Sequence, residues 1–487
     1  MKRLTILVFI LSIRSFILHP QCNAQPITLD SCIGMALNAN RQMESARLQT
    51  RQRDYTVAAM KANFLPNFKV SARDIYSSAS GSFSIADGYL PTFIPGADGT
   101  LQPNVLVNPA TGLPVMQPDG VTPVFQQYAY FPSQELKYKV ENVIQAGLSV
   151  EQPIYMGGKI SAGYKMSQLA RDIARQNERL TEAQVIVNTE EAYAQLVRAT
   201  EMRGVALQYD SLLLRLLHDV TAARSHGMAS HNDVLKVAVK KNEAELQLRQ
   251  AENAQRLARM NLCRQIALPL DSDIEAIAPP AVSTDDIAPL LAAGMDIPAR
   301  PEAVMLDQKA RLAEQKVRVE RAEFMPQIGI AAGYSYLYGV KLNDNRLLDG
   351  GSFAALLNVS IPLFHFGEGR NKVRAARMEA EQARVEQQDL MEQMRLEVTR
   401  ESNNVDEARL ELEVTTRSLA QTAENLRMAR KSYDAGMESL SDLLEAQTLH
   451  QQAQARQVEA RCQLSLALAR YRKATGKSFD TEHTNIH

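Results

Sequence analysis

Apolar and polar residues alternate with period two in four places along the chain. Ile328, Ile330, Ala332, Tyr334, Tyr336 and Tyr338 alternate with Gly329, Ala331, Gly333 and Ser335; Phe353, Ala355, Leu357, Val359 and Ile361 alternate with Ala354, Leu356, Asn358 and Ser360. Earlier, Phe68, Val70 and Ala72 interleave with Lys69, Ser71 and Arg73, and Ile144, Ala146, Leu148 and Val150 with Gln145, Gly147, Ser149 and Glu151. Such alternation predicts strands with one apolar face, placed at about 64–76, 141–154, 326–338 and 352–363. The rest follows no period of two. Residues 28–63 and 300–323 are dense in Ala, Gln, Arg, Glu and Leu, which favours helix, and Pro66 and Pro326 end them. Residues 159–224 and 368–433 contain no proline and predict helices of about 100 Å each at ~1.5 Å per residue. Small residues such as Ala375, Ala376, Ala380 and Ala383 suit close side-by-side packing in a coiled-coil-like array.

The two halves repeat one another. Ala62-Asn63-Phe64-Leu65-Pro66 matches Ala322-Glu323-Phe324-Met325-Pro326 at an offset of 260. Pro153 with Gly158 matches Pro362 with Gly367, and Gly227-Met228-Ala229-Ser230 with Asp233 matches Gly436-Met437-Glu438-Ser439 with Asp442, both at an offset of 209. A constant offset across the long helices means they have one length in both halves. The change in offset falls between Pro66 and Pro153, where the first half carries a longer, proline-rich loop, 77–140. The expected organisation is therefore a first repeat, 25–268, with its helical hairpin at 158–268; a connector, 269–299, holding Pro279, Pro280, Pro289 and Pro298; a second repeat, 300–476, with its hairpin at 367–476; and a polar tail, 477–487.

No segment after the N-terminus reaches the roughly 18 apolar residues of a membrane helix. Four strands also fall short of the smallest bacterial membrane barrels, which have eight. Strands that cross lipid here must be completed by other copies of the chain. At the N-terminus, Met1-Lys2-Arg3, the apolar stretch from Leu4 to Ile13 and Cys22-Asn23-Ala24 predict a secretory signal peptide, 1–24. A retained anchor and a lipoprotein acylated at Cys22 are the alternatives; His19, Pro20 and Gln21 fit a lipobox poorly.

Charge is balanced, with 54 Lys+Arg against 55 Asp+Glu, so nothing attracts a nucleic acid. Cys32, Cys263 and Cys462 form neither a disulfide framework nor a zinc pattern, and are expected as small buried residues. His218, His226 and His231 have spacings that match no metal pair on one helical turn. No catalytic or cofactor motif is present, so neither enzyme activity nor a cofactor nor a metal is expected.

The two turns concentrate the candidate chemistry. Gly227 followed by Ser230-x-x-Asp233, and Gly436 followed by Ser439-x-x-Asp442, predict a helix stop and a capping box. Glu445 lies one turn beyond Asp442, on the same helix face, where capping gives it no role.

The order of these motifs resembles the TolC-like outer-membrane factor family. The resemblance rests on Leu29-Asp30-Ser31 with Ala36-Leu37 and Asn40, on Arg300-Pro301-Glu302, on the strand-to-helix junctions Pro153–Gly158 and Pro362–Gly367, and on Tyr433-Asp434-Ala435-Gly436-Met437-Glu438-Ser439 through Ala446. It implies an α+β fold: a trimer in which each chain gives four strands to a transmembrane β-barrel continuous with a long α-helical barrel. It implies a passive outer-membrane duct reaching into the periplasm, with a periplasmic adaptor and an inner-membrane pump of RND or ABC type as partners. It also implies a periplasmic gate with an acidic ring at Asp442 and Glu445, and a latch that would involve Tyr433, Asp233 and the position of Glu438. Glu438 is acidic where the family's latch wants a base. Gly227, Met228, Ser230, Gly436, Met437 and Ser439 would meet the adaptor. Small-molecule efflux is the expected role; a duct for protein secretion, or a non-channel coiled-coil scaffold or adhesion protein, is the alternative.

Overall fold

The computed structural model describes residues 25–277, 287, 291, 297–343 and 345–476. The expected signal peptide, polar tail and much of the connector lie outside these residues. The chain divides into two compact units, one of Met1–Met60, Ser161–Arg321 and Gly367–His487, the other of Lys61–Ile160 and Ala322–Phe366.

The second unit is built on one antiparallel sheet of β2 (Asn67–Ile85), β7 (Gln134–Met156), β9 (Gln327–Leu342) and β10 (Asn345–Ser360), in the order β10-β9-β7-β2. Its register brings like faces together. Val70, Leu148, Tyr334 and Phe353 stand opposite one another across all four strands, as do Phe68, Val150, Ala332 and Ala355. On the other face the row Ser71, Gly147, Ser335 and Ser352 is small and polar. The apolar rows are bare in the single chain: Val70 is 80% exposed and Phe353 72%. Tyr334, Tyr336 and Tyr338 occupy three successive levels of β9. Alternate residues of a strand lie about 6.6–6.8 Å apart.

The strands run 16 to 23 residues, longer than the alternation suggested. A bulge between Tyr76 and Ala79 shifts the phase, beyond which Gly81, Phe83 and Ile85 pair with Tyr138, Leu136 and Gln134. Likewise β7 runs on to Met156, with Pro153 inside it at a register shift. The 77–140 segment is therefore not an irregular loop. Between the extended strands it carries two small two-stranded sheets, β3 (Gly88–Pro91) with β6 (Tyr128–Phe131) and β4 (Phe93–Pro95) with β5 (Leu101–Pro103). Pro91, Pro95 and Pro103 sit at strand ends, where the missing N–H costs the ladder little.

In the first unit, a helix expected over 28–63 is two: α1 (Leu29–Ala39) and α2 (Arg41–Ala62). Asn40 makes the break, since its side chain accepts from the Gln42 N–H at 2.8 Å and donates to the Gln265 carbonyl at 2.9 Å. The long helices are α3 (Lys159–Ser225) and α6 (Glu368–Asp434), 67 residues each. Their partners α4 (His231–Gln265) and α7 (Leu440–Ala474) have 35 each, and α5 (Pro301–Ala322) matches α2 at 22. No helix among the described residues is long and apolar enough to cross a membrane.

These helices bury a narrow seam, not one deep core. Cys32 and Ala36 of α1 pack with Tyr193 and Leu196 of α3 and Leu262 and Cys263 of α4. Beside them β1 (Gln25–Ile27) pairs in parallel with β8 (Ile274–Ala276). The Tyr193 hydroxyl lies 3.0 Å from the Ile27 carbonyl and 2.6 Å from that of Ile277, pinning both segments to α3. Burial, with Cys32 adding a smaller effect, pushes this phenol up to about 12. Cys32, Cys263 and Cys462 are buried free thiols. Ion pairs such as Arg198–Glu459 at 2.9 Å and Arg472–Glu190 at 3.0 Å run from α3 to α7.

The start of α5 is held by Arg300, whose side chain is 3% exposed. It donates to Glu397 of α6 at 3.0 Å, to Glu302 at 2.9 Å and to the Ala474 carbonyl at the end of α7 at 2.8 Å. Burial alone would lower its pKa; the hydrogen bonds and charges of Glu302 and Glu397 outweigh that and raise it.

Candidate functional site

Both helix turns close in the same way. The Met228 N–H donates to the Ala223 carbonyl and the Gly227 N–H to that of Arg224, each at 2.9 Å; the Met437 N–H donates to Ser432 at 2.8 Å and the Gly436 N–H to Tyr433 at 2.9 Å. This double closure needs a left-handed residue just past the helix, which Gly227 (φ 78°) and Gly436 (φ 73°) supply. Capping boxes then open the following helices. The Ser230 and Ser439 hydroxyls donate to Asp233 and Asp442 at 2.6 and 2.7 Å, and the serine backbone N–H groups reach the same carboxylates at 3.2 and 3.1 Å. In return the aspartate N–H groups donate to the serine oxygens at 3.1 and 3.3 Å. The serine hydroxyl, then its backbone N–H, holds each aspartate below the usual carboxylate range. Met228 and Met437 project from the two tips, 77% and 75% exposed.

Asp442 and Glu445 are both exposed, while Leu440, Leu443 and Leu444 between and beside them are buried. Those leucines pack with Tyr209, Leu213, Leu216 and Val220 of α3 and Val237 of α4, so one apolar cluster fixes both hairpins below their turns. The acidic pair thus points away from the core that positions it.

Tyr433 packs on the same cluster. Burial, then the charges of Asp233, Asp434 and Asp219, raise its phenol above the usual value. No hydrogen bond joins it to Asp233, whose carboxylate is engaged by Ser230. Glu438 is exposed on the turn. A basic residue outside those motifs stands at this junction: Lys236 of α4 donates to the Ser441 hydroxyl of α7 at 3.2 Å and lies 3.9 Å from Asp233. The repeat offset carried the signal, because Lys236 occupies the position matching Glu445 with the opposite charge. His218, His226 and His231 are exposed.

At the strand-to-helix junctions, Pro66 and Pro326 follow turns in which the Leu65 and Met325 N–H groups donate to Ala62 and Ala322. Gly158 and Gly367 stand immediately before α3 and α6, and Pro362 follows the end of β10.

The chain thus combines an open sheet with a bare apolar face and, joined to it by sequence, paired helical hairpins with capped turns. Residues 300–477 match the family described as Outer membrane efflux protein. The fold of nearly the whole chain is that of the CmeC outer membrane channel of Campylobacter jejuni, with a TM-score of 0.68, 18% identity and coverage of 93% of this chain and 86% of that one. It is shared with the outer membrane protein VceC of Vibrio cholerae, at 0.68 and 15% identity over 92% and 96%. The open-state MtrE channel of Neisseria gonorrhoeae gives 0.64 at 15% identity over 92% and 88%. Protein CyaE of Bordetella pertussis is 27% identical over 307 residues, 61% of this chain and 62% of that protein's length. The family match covers residues 300–477, and nearly the whole chain shares the fold of these outer-membrane channels.

Proposed function

We propose that the chain is one protomer of a trimeric exit duct in the outer membrane, built from two internal repeats and serving a tripartite small-molecule efflux pump. The observation that carries this is the sheet. Its apolar rows face nothing in the single chain, and its outer strands β2 and β10 have no further strand beside them among the described residues. Three copies edge to edge give a closed barrel of twelve strands, with lipid covering the apolar face. The duct is passive and catalyses nothing. Energy comes from an inner-membrane pump of RND or ABC type, reached through a periplasmic adaptor.

The hairpin turns form the periplasmic end. Under threefold symmetry Asp442 and Glu445 make a ring of six carboxylates that concentrates cations at the gate. Tyr433 and Asp233 remain the latch positions; Lys236 takes the basic part, and Glu438 stays on the exposed turn. The protruding Met228 and Met437, with Gly227, Ser230, Gly436 and Ser439, are the contact for the adaptor, methionine being an adaptable docking side chain.

The test is to purify the full chain in detergent, weigh the oligomer and measure single-channel conductance in planar bilayers. A trimer that conducts is expected. A detergent-free, non-conducting monomer would refute the duct and favour a coiled-coil scaffold. Co-isolation with an ABC transporter and a protein cargo would move the role to secretion.

A further inference from the structure

A cavity of about 200 Å³ lies between α3, α6 and α7, just below the hairpin turns. Its wall includes Arg215, Asp219, Arg430, Tyr433, Asp434 and Gln447. Two features set it apart from an ordinary packing gap. Gln447 is 5% exposed and its Oε1 is buried without a hydrogen-bond partner. A buried amide oxygen left without a donor is destabilising. Second, two guanidinium groups and two carboxylates, all of exposed residues at the mouth of the cavity, line the same space with no ion pair within 4.0 Å among them, so their charges balance in number. Tyr433 feels the carboxylates, since Asp434 and Asp219 both help to raise its phenol, after burial and Asp233.

We propose that this cavity binds a small zwitterion, an α-amino acid being the simplest, with its ammonium donating to Gln447 and facing Asp219 and Asp434 while its carboxylate is taken by Arg215 and Arg430. A half-turn of the amide presents either its oxygen or its nitrogen to the space, so the acceptor is available. The volume would otherwise hold about six or seven waters at ~30 Å³ each, room enough for the six heavy atoms of alanine. Neither half of the ligand satisfies the wall alone: an amine leaves both arginines unpaired, and an acid both aspartates. A bound zwitterion would bridge α3 to the α6–α7 hairpin close to the turns. The site stands on its own geometry and does not depend on the duct reading.

The experiment is isothermal titration of the full-length protein in detergent with L-alanine. Methylammonium, acetate and glycine betaine, a zwitterion with no N–H donor, serve as comparison probes. Saturable binding of L-alanine is expected, at least tenfold tighter than any of the three. Gln447→Leu should weaken it at least tenfold, and so should Arg430→Gln, a change at an exposed residue that leaves folding intact. Absence of saturable binding overturns the proposal. So does affinity unchanged in both variants, betaine binding as tightly as alanine, or a crystal structure at saturating alanine with only water beside Gln447. Conductance of the same sample judges the duct separately.

Discussion

Arg300→Met removes one guanidinium while keeping most of its bulk, and its cost can be worked from the contacts. The side chain is 3% exposed and serves three acceptors: Glu302, Glu397 and the Ala474 carbonyl. Without it, the Ala474 carbonyl near the end of α7 loses its donor, worth about 1–3 kcal/mol. Breaking a buried ion pair costs about 3–5 kcal/mol, but the Glu302 and Glu397 side chains are 21% and 36% exposed and recover part of their hydration. The loss therefore sits near the low end, about 3 kcal/mol. Lysine places one point charge where a fork served three acceptors, so Arg300→Lys should recover less than half of it. Hydrogen exchange read by mass spectrometry on the detergent-solubilised protein measures this locally. Protection at the start of α5 and in the last turns of α7 should fall roughly 100-fold in Arg300→Met, since each ~1.4 kcal/mol is tenfold. Protection within threefold of the parent would show that Arg300 does not hold these ends together.

Other expectations follow from the turns and the sheet. Asp442→Ala with Glu445→Ala should relieve block of the conductance by multivalent cations added from the periplasmic side, and Lys236→Ala should deepen it; unchanged block in both removes the acidic ring. Ser230→Ala and Ser439→Ala should each lower amide protection in the first turn of α4 or α7 about fivefold. Because Asp233 and Asp442 are held below the usual carboxylate range, the caps contribute fully above the unfolded value of about 3.9 and are lost as pH falls through the lower folded value. Exchange in those turns should thus be pH-insensitive, after correction for intrinsic rates, down to about pH 4 and rise below it. Gly339→Ala should abolish assembly, since φ is 111° there and a methyl group would strike the Asn142 carbonyl; a normal oligomer on a native gel contradicts the register of β7 and β9.

What could be read from the sequence was whatever repeats or obeys a period. The strand faces followed from alternation, and the turns from Gly-x-x-Ser-x-x-Asp, because both signals are local. The break at Asn40 was missed since its cause is a hydrogen bond to Gln265, 225 residues away. The extended strands were missed because the bulge near Tyr76 shifts the phase of the alternation. Lys236 went unnoticed because its charge has meaning only beside Ser441, on a helix of the other half. Arg300 was visible as a motif with Glu302, but its other two partners, Glu397 and the Ala474 carbonyl, lie 97 and 174 residues away.

The matched helices have a consequence for how such a chain can change over time. One residue inserted into α3 alone advances everything after it by ~1.5 Å and about 100°, turning the buried face of the last turns outward while the 67-residue α6 stays in place. Small insertions in these segments are therefore tolerated only when the other half acquires the same one, or when two full turns enter together. The small sheets between β2 and β7 carry no such constraint, and this is where the first half grew and the second did not.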